Sequence, residues 1–226
     1  MEPGADAVTG VVLDFHGTLV DTHEPAAWLA DARRHLADRG LPVPDAAGDA
    51  ALERHLYEIW DHAAVFDPGS TRDLAPARHR EVFARAVELC RPGERDLVDA
   101  LYAVMLRQWV PFPDAVPVLR ALRARGVPVV LLSNIGLDIR PQLVRTGLAD
   151  LLDDVVLSYE VGLVKPDPAI FAEALARLGR PASQALMVGD SPTADVGGAA
   201  LGIRTLILPR TRQRVRGLDA VLRLVG

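Results

Sequence analysis

The sequence is poor in cysteine, aromatic residues and lysine, and each shortage narrows what the chain could do. It has one cysteine, Cys90, so it can form neither an internal disulfide framework nor a cysteine-rich zinc site. Aromatic residues make up only 5% of the sequence, which argues against modules that stack nucleic-acid bases on aromatic rings. A formal net charge of -5 argues against binding to a phosphate backbone. We therefore expect no nucleic-acid partner.

Long apolar runs are also missing. No run approaches the roughly 20 residues that a membrane-spanning helix needs, and no basic stretch followed by an apolar one opens the sequence. We therefore expect no membrane partner and a cytoplasmic location. A chain of 226 residues is long enough to bury a hydrophobic core without disulfides.

The shortage of lysine is the most informative one. Of 25 basic residues, 24 are arginine, and Lys165 is the only lysine. The two residue types are interchangeable on a solvated surface, but a site that needs a compact ammonium group would keep its lysine. Lys165 is therefore a candidate site residue; the alternative is a surface lysine that survived by chance.

Short apolar runs without alternation predict five strands buried on both faces. They lie at 10–14, 127–132, 155–157, 185–188 and 203–208. Helical patterns at 116–125, 139–146 and 168–178 separate them, and each is followed by a glycine. This order of strands and helices predicts an α/β fold with a parallel sheet.

Residues 21–109 interrupt that order with helical patterns and no clear strand. The predicted helices are 25–39, 51–64, 76–89 and 94–109. We expect residues 1–20 and 110–226 to form an α/β core domain and 21–109 to form a separate helical domain. The alternative is a helical extension that packs into the same core.

Polar residues follow three of the predicted strands, at the edge where open parallel sheets bind ligands. They are Asp14, His16, Gly17 and Thr18, then Ser133 and Asn134, then Asp190, Ser191 and Asp195. Each alone could be an ordinary cap. Together, the carboxylates suit Mg²⁺, and helix amides with an ammonium group suit a phosphoryl group. The set predicts phosphoryl transfer assisted by Mg²⁺.

Four segments also carry a family resemblance. LDFHGTLVDT, VVLLSN, GLVKPDPAIF and VGDSPTADVGGAALG follow one another in the order found in the haloacid dehalogenase superfamily. The chain resembles that superfamily from residue 11 to about 208, and the helical insert resembles its type I cap, as in subfamily I. The resemblance implies a Rossmann-like core of five parallel strands and an all-helical cap domain.

The resemblance also implies roles for individual residues. Asp14 would be the nucleophile that becomes an aspartyl-phosphate, and its carboxylate would bind Mg²⁺ together with Asp190 and the backbone carbonyl of His16. Asp195 and Ser191 would lie behind these ligands. The phosphate-binding residues would be Thr18, Ser133, Asn134 and Lys165; Lys165 would also balance charge during catalysis, and a purely structural role for Thr18 stays open.

His16 departs from the family pattern, because phosphatases of this superfamily usually carry a second aspartate at that position. An imidazole, with a pKa of about 6.5 against about 3.9 for aspartate, can serve as a general acid and base near neutral pH. The alternative is a spacer without a catalytic role.

We expect a Mg²⁺-dependent phosphatase for a small phosphorylated metabolite, as a monomer or homodimer. The alternatives are a phosphotransferase or mutase, a dehalogenase, and a catalytically silent relative that binds a phosphorylated ligand. Substrate choice would lie in the helical domain, whose polar and aromatic candidates are His23, Trp28, His55, Trp60, His62, Arg72 and Arg78.

Overall fold

A computed structural model describes residues 7–22, 24–208 and 215–226. The chain divides into two compact units: Met1–Asp21 with Pro111–Gly226, and Thr22–Val110. Within the described ranges, no helix has both the length and the apolar character that a bilayer crossing requires.

Among the described residues, seven strands form two sheets. In chain order they are β1 (Gly10–Leu13), β2 (Val20–Thr22), β3 (Trp109–Pro111), β4 (Val129–Ser133), β5 (Asp154–Leu157), β6 (Ala185–Gly189) and β7 (Arg204–Ile207). Five of them make a parallel sheet in the order β5-β4-β1-β6-β7, and β1 is central because Val12 pairs with Val130 on one side and Met187 on the other. The predicted five-stranded, Rossmann-like α/β fold is confirmed.

In the part of the chain that the structure describes, ten α-helices connect or follow these strands. They are α1 (Pro25–Asp38), α2 (Asp49–Tyr57), α3 (Ile59–Phe66), α4 (Pro76–Glu88), α5 (Arg95–Val104), α6 (Ala115–Ala124), α7 (Arg140–Arg145), α8 (Ser158–Val161), α9 (Pro168–Leu178) and α10 (Val221–Leu224). The described residues also form short 3₁₀ helices at Thr71–Leu74, Met105–Gln108, Ala149–Leu151, Ala182–Gln184, Asp195–Leu201 and Leu218–Ala220.

Helices cover both faces of the five-stranded sheet, which explains why its strands are apolar without alternation. On one face, α9 packs against β1, β4 and β5, and its Ile170 and Phe171 join a buried cluster with Val12 and Val130. Neighbouring strand residues point to the other face, where α6 packs against β4. The central strands β1, β4 and β6 are buried along their whole length.

The second unit is helical, and its core forms mainly between α1 and α5. Trp28 of α1 is fully buried, and its indole Nε1 donates a hydrogen bond to the carbonyl oxygen of Leu101 at 2.9 Å. The ring centroid of Trp28 lies 5.9 Å from that of Phe83. This core joins α1, α4 and α5 of the unit.

Three predictions for this segment were wrong in detail. The helix predicted over 51–64 is two helices, because the backbone at Glu58 leaves the helical conformation between α2 and α3. The helix predicted over 94–109 ends at Val104 and continues as a 3₁₀ turn, Met105–Gln108. The segment is not free of strand, since β2 and β3 form a two-stranded sheet where the chain passes between the units.

Candidate active site

The first polar loop follows the central strand directly. The amide of Asp14 donates to the carbonyl of Val188, so its backbone is still held by the sheet, and its carboxylate is buried. The loop then turns tightly, because the amide of Leu19 donates to the carbonyl of Phe15 at 2.8 Å. The Thr18 hydroxyl donates to Asp14 Oδ2 at 3.0 Å. One oxygen of Asp14 is thus held by its own loop.

The only lysine of the chain lies between two carboxylates. Lys165 Nζ donates to Asp14 Oδ1 at 2.7 Å and to Asp195 Oδ1 at 2.6 Å. All three side chains are buried. The structure therefore brings together residues that the sequence separates by 151 and 30 positions.

Burial and charge act in opposite directions on this cluster. Burial raises the pKa of Asp14, while the Lys165 ammonium and the Thr18 hydroxyl oppose that rise. Burial favours the neutral form of Lys165, but the carboxylates of Asp14 and Asp195 outweigh it and raise the pKa of Lys165 above its usual value. Lys165 stays charged at neutral pH and balances one of the two carboxylates beside it.

The position of Lys165 is fixed by an asparagine at the end of the neighbouring strand. The amide of Lys165 donates to Asn134 Oδ1 at 2.7 Å, and Asn134 Nδ2 donates to the Lys165 carbonyl at 2.9 Å. Ser133, which directly precedes Asn134 and is the last residue of β4, is also buried. The side chain of Asn134 thus has a positioning role that the sequence did not reveal.

The third polar loop follows β6. Asp190 is half-buried, and Asp195 is fully buried with its Oδ2 accepting the Ser191 amide at 2.9 Å. The Ser191 hydroxyl accepts the amide of Ala194 at 3.0 Å. Asp195 and Ser191 therefore hold the turn that presents Asp190.

The three aspartates together offer a set of ligands for a cation. One carboxylate oxygen from each of Asp14, Asp190 and Asp195 lies within 4.8 Å of the other two. Carboxylate oxygens are the donors that Mg²⁺ prefers, and the Lys165 ammonium pairs with two of these three carboxylates. The residues present thus fit a hard divalent cation.

His16 lies in the loop between Asp14 and β2. Its ring Nε2 is 3.5 Å from Asp21 Oδ1, and the two side chains are 20% and 6% exposed. Sequence reasoning missed Asp21. The available signal was its place just after the glycine-containing loop, but no motif marked it as a partner of His16.

The candidates for substrate choice in the helical unit divide into two groups. Trp28 belongs to the helical core, and His55 Nε2 donates to the carbonyl of Ala86 at 2.6 Å. Arg72 contacts Asp67 at 3.2 Å and Asp73 at 3.6 Å. These side chains have structural partners within their own unit.

The remaining candidates have aromatic or ionic neighbours. The His62 ring stacks on His55 with centroids 4.2 Å apart, and the Trp60 centroid lies 4.9 Å from that of His79. Arg78 pairs with Glu81 at 2.8 Å. His23 lies outside the described residues.

The geometry defines a Rossmann-like α/β protein with a buried lysine–carboxylate cluster at the carboxyl edge of its sheet. The family model for haloacid dehalogenase-like hydrolases matches residues 8–202. The chain belongs to that family and is a hydrolase, and the resemblance stated from its motifs is confirmed.

Similar proteins include phosphatases and a dehalogenase. Ribulose-1,5-bisphosphate 5-phosphatase of Halopiger xanaduensis is 35% identical over 189 residues, which cover 74% of this chain and 77% of the relative. Phosphoserine phosphatase of Thermus thermophilus is 37% identical over 177 residues, covering 75% and 68%. The crystal structure of a 2-haloacid dehalogenase from Pseudomonas syringae matches with a TM-score of 0.58 and 28% identity, covering 96% and 99%.

Proposed function

We propose that this chain is a Mg²⁺-dependent phosphatase that hydrolyses a small-molecule phosphate monoester through an aspartyl-phosphate on Asp14. The observation that carries the proposal is the pairing of Lys165 Nζ with Asp14 Oδ1 at 2.7 Å and Asp195 Oδ1 at 2.6 Å. A buried carboxylate paired with an ammonium group is suited to act as a nucleophile towards phosphorus. The phosphatase relatives support the same chemistry.

In the first step, an oxygen of Asp14 forms a bond to phosphorus while the bond from phosphorus to the ester oxygen breaks. The His16 imidazolium donates a proton to the departing oxygen. In the second step, neutral His16 takes a proton from a water molecule, whose oxygen attacks phosphorus. Orthophosphate leaves, and the Asp14 carboxylate and the His16 imidazolium are restored.

Other residues of the site bind the phosphoryl group and orient the nucleophile. The Ser133 hydroxyl and the backbone amide of Asn134 donate hydrogen bonds to phosphoryl oxygens, and Lys165 balances the charge of these oxygens. Thr18 holds Oδ2 of Asp14, with which it forms a 3.0 Å hydrogen bond, and lies in the phosphate-binding loop.

Asp14, Asp190 and the backbone carbonyl of His16 are the groups that would hold Mg²⁺, with Asp195 and Ser191 orienting them. When bound, Mg²⁺ would neutralise charge on the phosphoryl group and so reduce its repulsion of the carboxylate. The donor chemistry of the three aspartates supports this assignment.

Thr22–Val110 would act as the cap that selects the substrate. Several of its polar candidates are engaged within the unit, as Arg72 is with Asp67. We expect the protein to be a monomer or a homodimer in the cytoplasm. Its substrate is predicted to be a small phosphorylated metabolite.

The test is orthophosphate release from a panel of esters that includes ribulose 1,5-bisphosphate, phosphoserine, sugar phosphates and nucleotides. We expect release with Mg²⁺, little with EDTA, and none from Asp14→Asn. Asp219→Asn, an exposed aspartate paired with Arg223, is the matched control and should keep full activity.

Halide release from 2-haloacids is the opposing assay, because one similar structure is a dehalogenase. Halide release without phosphate release would contradict the proposal. A protein that binds phosphorylated ligands but turns over none of them would point instead to a catalytically silent relative.

A further inference from the structure

A buried arginine outside the carboxylate cluster contacts the loop that carries Asp14. Arg216 is 5% exposed, and its Nε donates to the carbonyl oxygen of Gly17 at 2.6 Å. Another guanidinium nitrogen donates to the carbonyl of Leu208. The guanidinium carbon lies 5.7 Å from the ring centroid of Phe112. These two hydrogen bonds tie the guanidinium of Arg216 to the main chain at Gly17 and Leu208.

The backbone of Arg216 is itself anchored by a carboxylate. Asp114 Oδ1 accepts the amide of Arg216 at 3.2 Å, and Oδ2 accepts the amides of Gly217 at 2.7 Å and Leu218 at 2.9 Å. Gly217 has φ of +86°, a conformation that glycine adopts easily and that helps these amides converge on one side chain. The arginine therefore reaches Gly17 from a fixed base.

The Gly17 carbonyl belongs to the peptide unit that leads into Thr18. On the other side of Gly17, its amide donates to the carbonyl of Val20 at 2.7 Å. Because peptide units are planar, fixing this carbonyl also fixes the plane from which Thr18 extends to Asp14 Oδ2 at 3.0 Å. A path of direct contacts thus runs from Arg216 through Gly17 and Thr18 to Asp14.

We propose that Arg216 is a positioning residue for the nucleophile: its guanidinium fixes the Gly17 carbonyl, and the loop so fixed holds the Asp14 carboxylate in its reactive orientation. The proposal rests on the proposed function, since it assigns Arg216 to the reaction of Asp14. A lysine could not replace it, because one ammonium group lacks the planar fork that reaches the Gly17 and Leu208 carbonyls together.

The first measurement is kinetic and uses Arg216→Lys and Arg216→Ala with the best ester of the panel. Because a displacement near 1 Å can cost about 100-fold in rate, we expect kcat to fall by about 10- to 100-fold with little change in KM. Guanidinium chloride at a sub-denaturing concentration should restore part of kcat in Arg216→Ala only. Arg223→Ala, an exposed arginine nearby in the sequence, is the control and should match the wild type.

The second measurement does not depend on turnover. Hydrogen exchange of the amides of residues 17–20 should be about tenfold faster in Arg216→Lys than in the wild type, because the loop opens locally more often. Arg223→Ala should leave this exchange unchanged. If Arg216→Ala does not fold, Arg216→Lys carries both measurements.

The outcomes separate this proposal from the proposed function. A wild type that releases no phosphate overturns the proposed function, and the exchange rates then decide whether Arg216 holds the loop. Equal exchange in the wild type and Arg216→Lys overturns the positioning role. Faster exchange with unchanged kcat also overturns it, because the arginine would then stabilise the loop without affecting Asp14.

Discussion

His16 Nε2 lies 3.5 Å from Asp21 Oδ1, with the carboxylate almost fully buried beside the imidazole. A carboxylate packed this close to an imidazole limits the orientations that the ring can take. We therefore expect Asp21 to act as a positioning residue for His16 in the proposed reaction.

A double-mutant cycle tests this relationship. His16→Ala should lower kcat by about 10²- to 10⁴-fold, the usual contribution of a general acid and base, and His16→Asp should recover most of it. Asp21→Asn keeps the shape but loses the charge, so we expect kcat to fall by about tenfold with KM little changed.

In the His16→Ala background, Asp21→Asn should lower kcat hardly any further, because Asp21 is expected to affect kcat only by positioning His16. Fully additive losses of kcat would show that Asp21 acts independently of the imidazole. Wild-type activity in His16→Ala would remove the assigned proton-transfer role altogether.

Lys165 can be tested by two replacements that separate charge from shape. Lys165→Met removes the ammonium group and leaves the buried carboxylates of Asp14 and Asp195 facing each other without compensation. We expect the free energy of unfolding to fall by about 3–5 kcal/mol, as when one partner of a buried ion pair is removed. Urea unfolding in EDTA measures this without any effect of bound metal.

Lys165→Arg keeps the positive charge but places a larger planar group in a space shaped for an ammonium. It should lose most of kcat while losing less stability than Lys165→Met. If Lys165→Arg were as active as the wild type, the fact that Lys165 is the only lysine in an arginine-rich chain would carry no functional meaning.

The strands and the Asp14–Lys165 pair could be predicted because each leaves a local signal. Buried parallel strands are short apolar runs, and the carboxyl ends of such strands meet at one edge of the sheet. Lys165 was marked by composition, since every other basic residue is arginine, and by its place in the segment GLVKPDPAIF. For these features the order of residues along the chain was sufficient.

Other features depend on partners far away in the sequence. Arg216 contacts Gly17 across 199 positions, and nothing local distinguishes it from 23 other arginines. The break at Glu58 was hidden because the buried residues on either side, Leu56 and Ile59, keep helical spacing through it. Apolar periodicity reports burial and cannot report a local change of backbone angle.

Gly17 offers a test of close packing in the nucleophile loop. It has φ of +85°, and a Cβ atom there would overlap the Asp190 carboxylate. Gly93 has φ of +84° with no atom within 4 Å of such a Cβ, so it is a matched control for backbone strain alone.

Both Gly17→Ala and Gly93→Ala should lose about 1–2 kcal/mol of unfolding free energy, because L-residues disfavour this conformation. Only Gly17→Ala should also lose phosphate release and need more Mg²⁺ for half-maximal activity, since it displaces Asp190. Equal activity in the two variants would contradict the assignment of Asp190 as a metal ligand.

The last prediction concerns the helical unit and its stability in acid. His79 is 1% exposed, and its Nδ1 lies 3.0 Å from the Tyr102 hydroxyl. Burial, aided by the charge of Arg72, lowers the pKa of His79 to about 3. In the unfolded chain a histidine has a pKa of about 6.5. Between that pH and about 3, the His79 imidazole is therefore protonated in the unfolded state but neutral in the folded state.

The stability that His79 contributes is therefore fully present above pH 6.5 and is lost as the pH falls from about 6.5 towards 3, by up to about 1.4 kcal/mol per pH unit. Urea unfolding at pH 7.5 and 4.5 should show about 3 kcal/mol less acid destabilisation in His79→Gln than in the wild type. Tyr102→Phe removes the hydroxyl but leaves the imidazole buried, so it should keep the wild-type dependence on pH. If His79→Gln and the wild type lost the same stability on acidification, the imidazole would have to be protonated within the folded unit, and its burial could not be the source of the acid sensitivity.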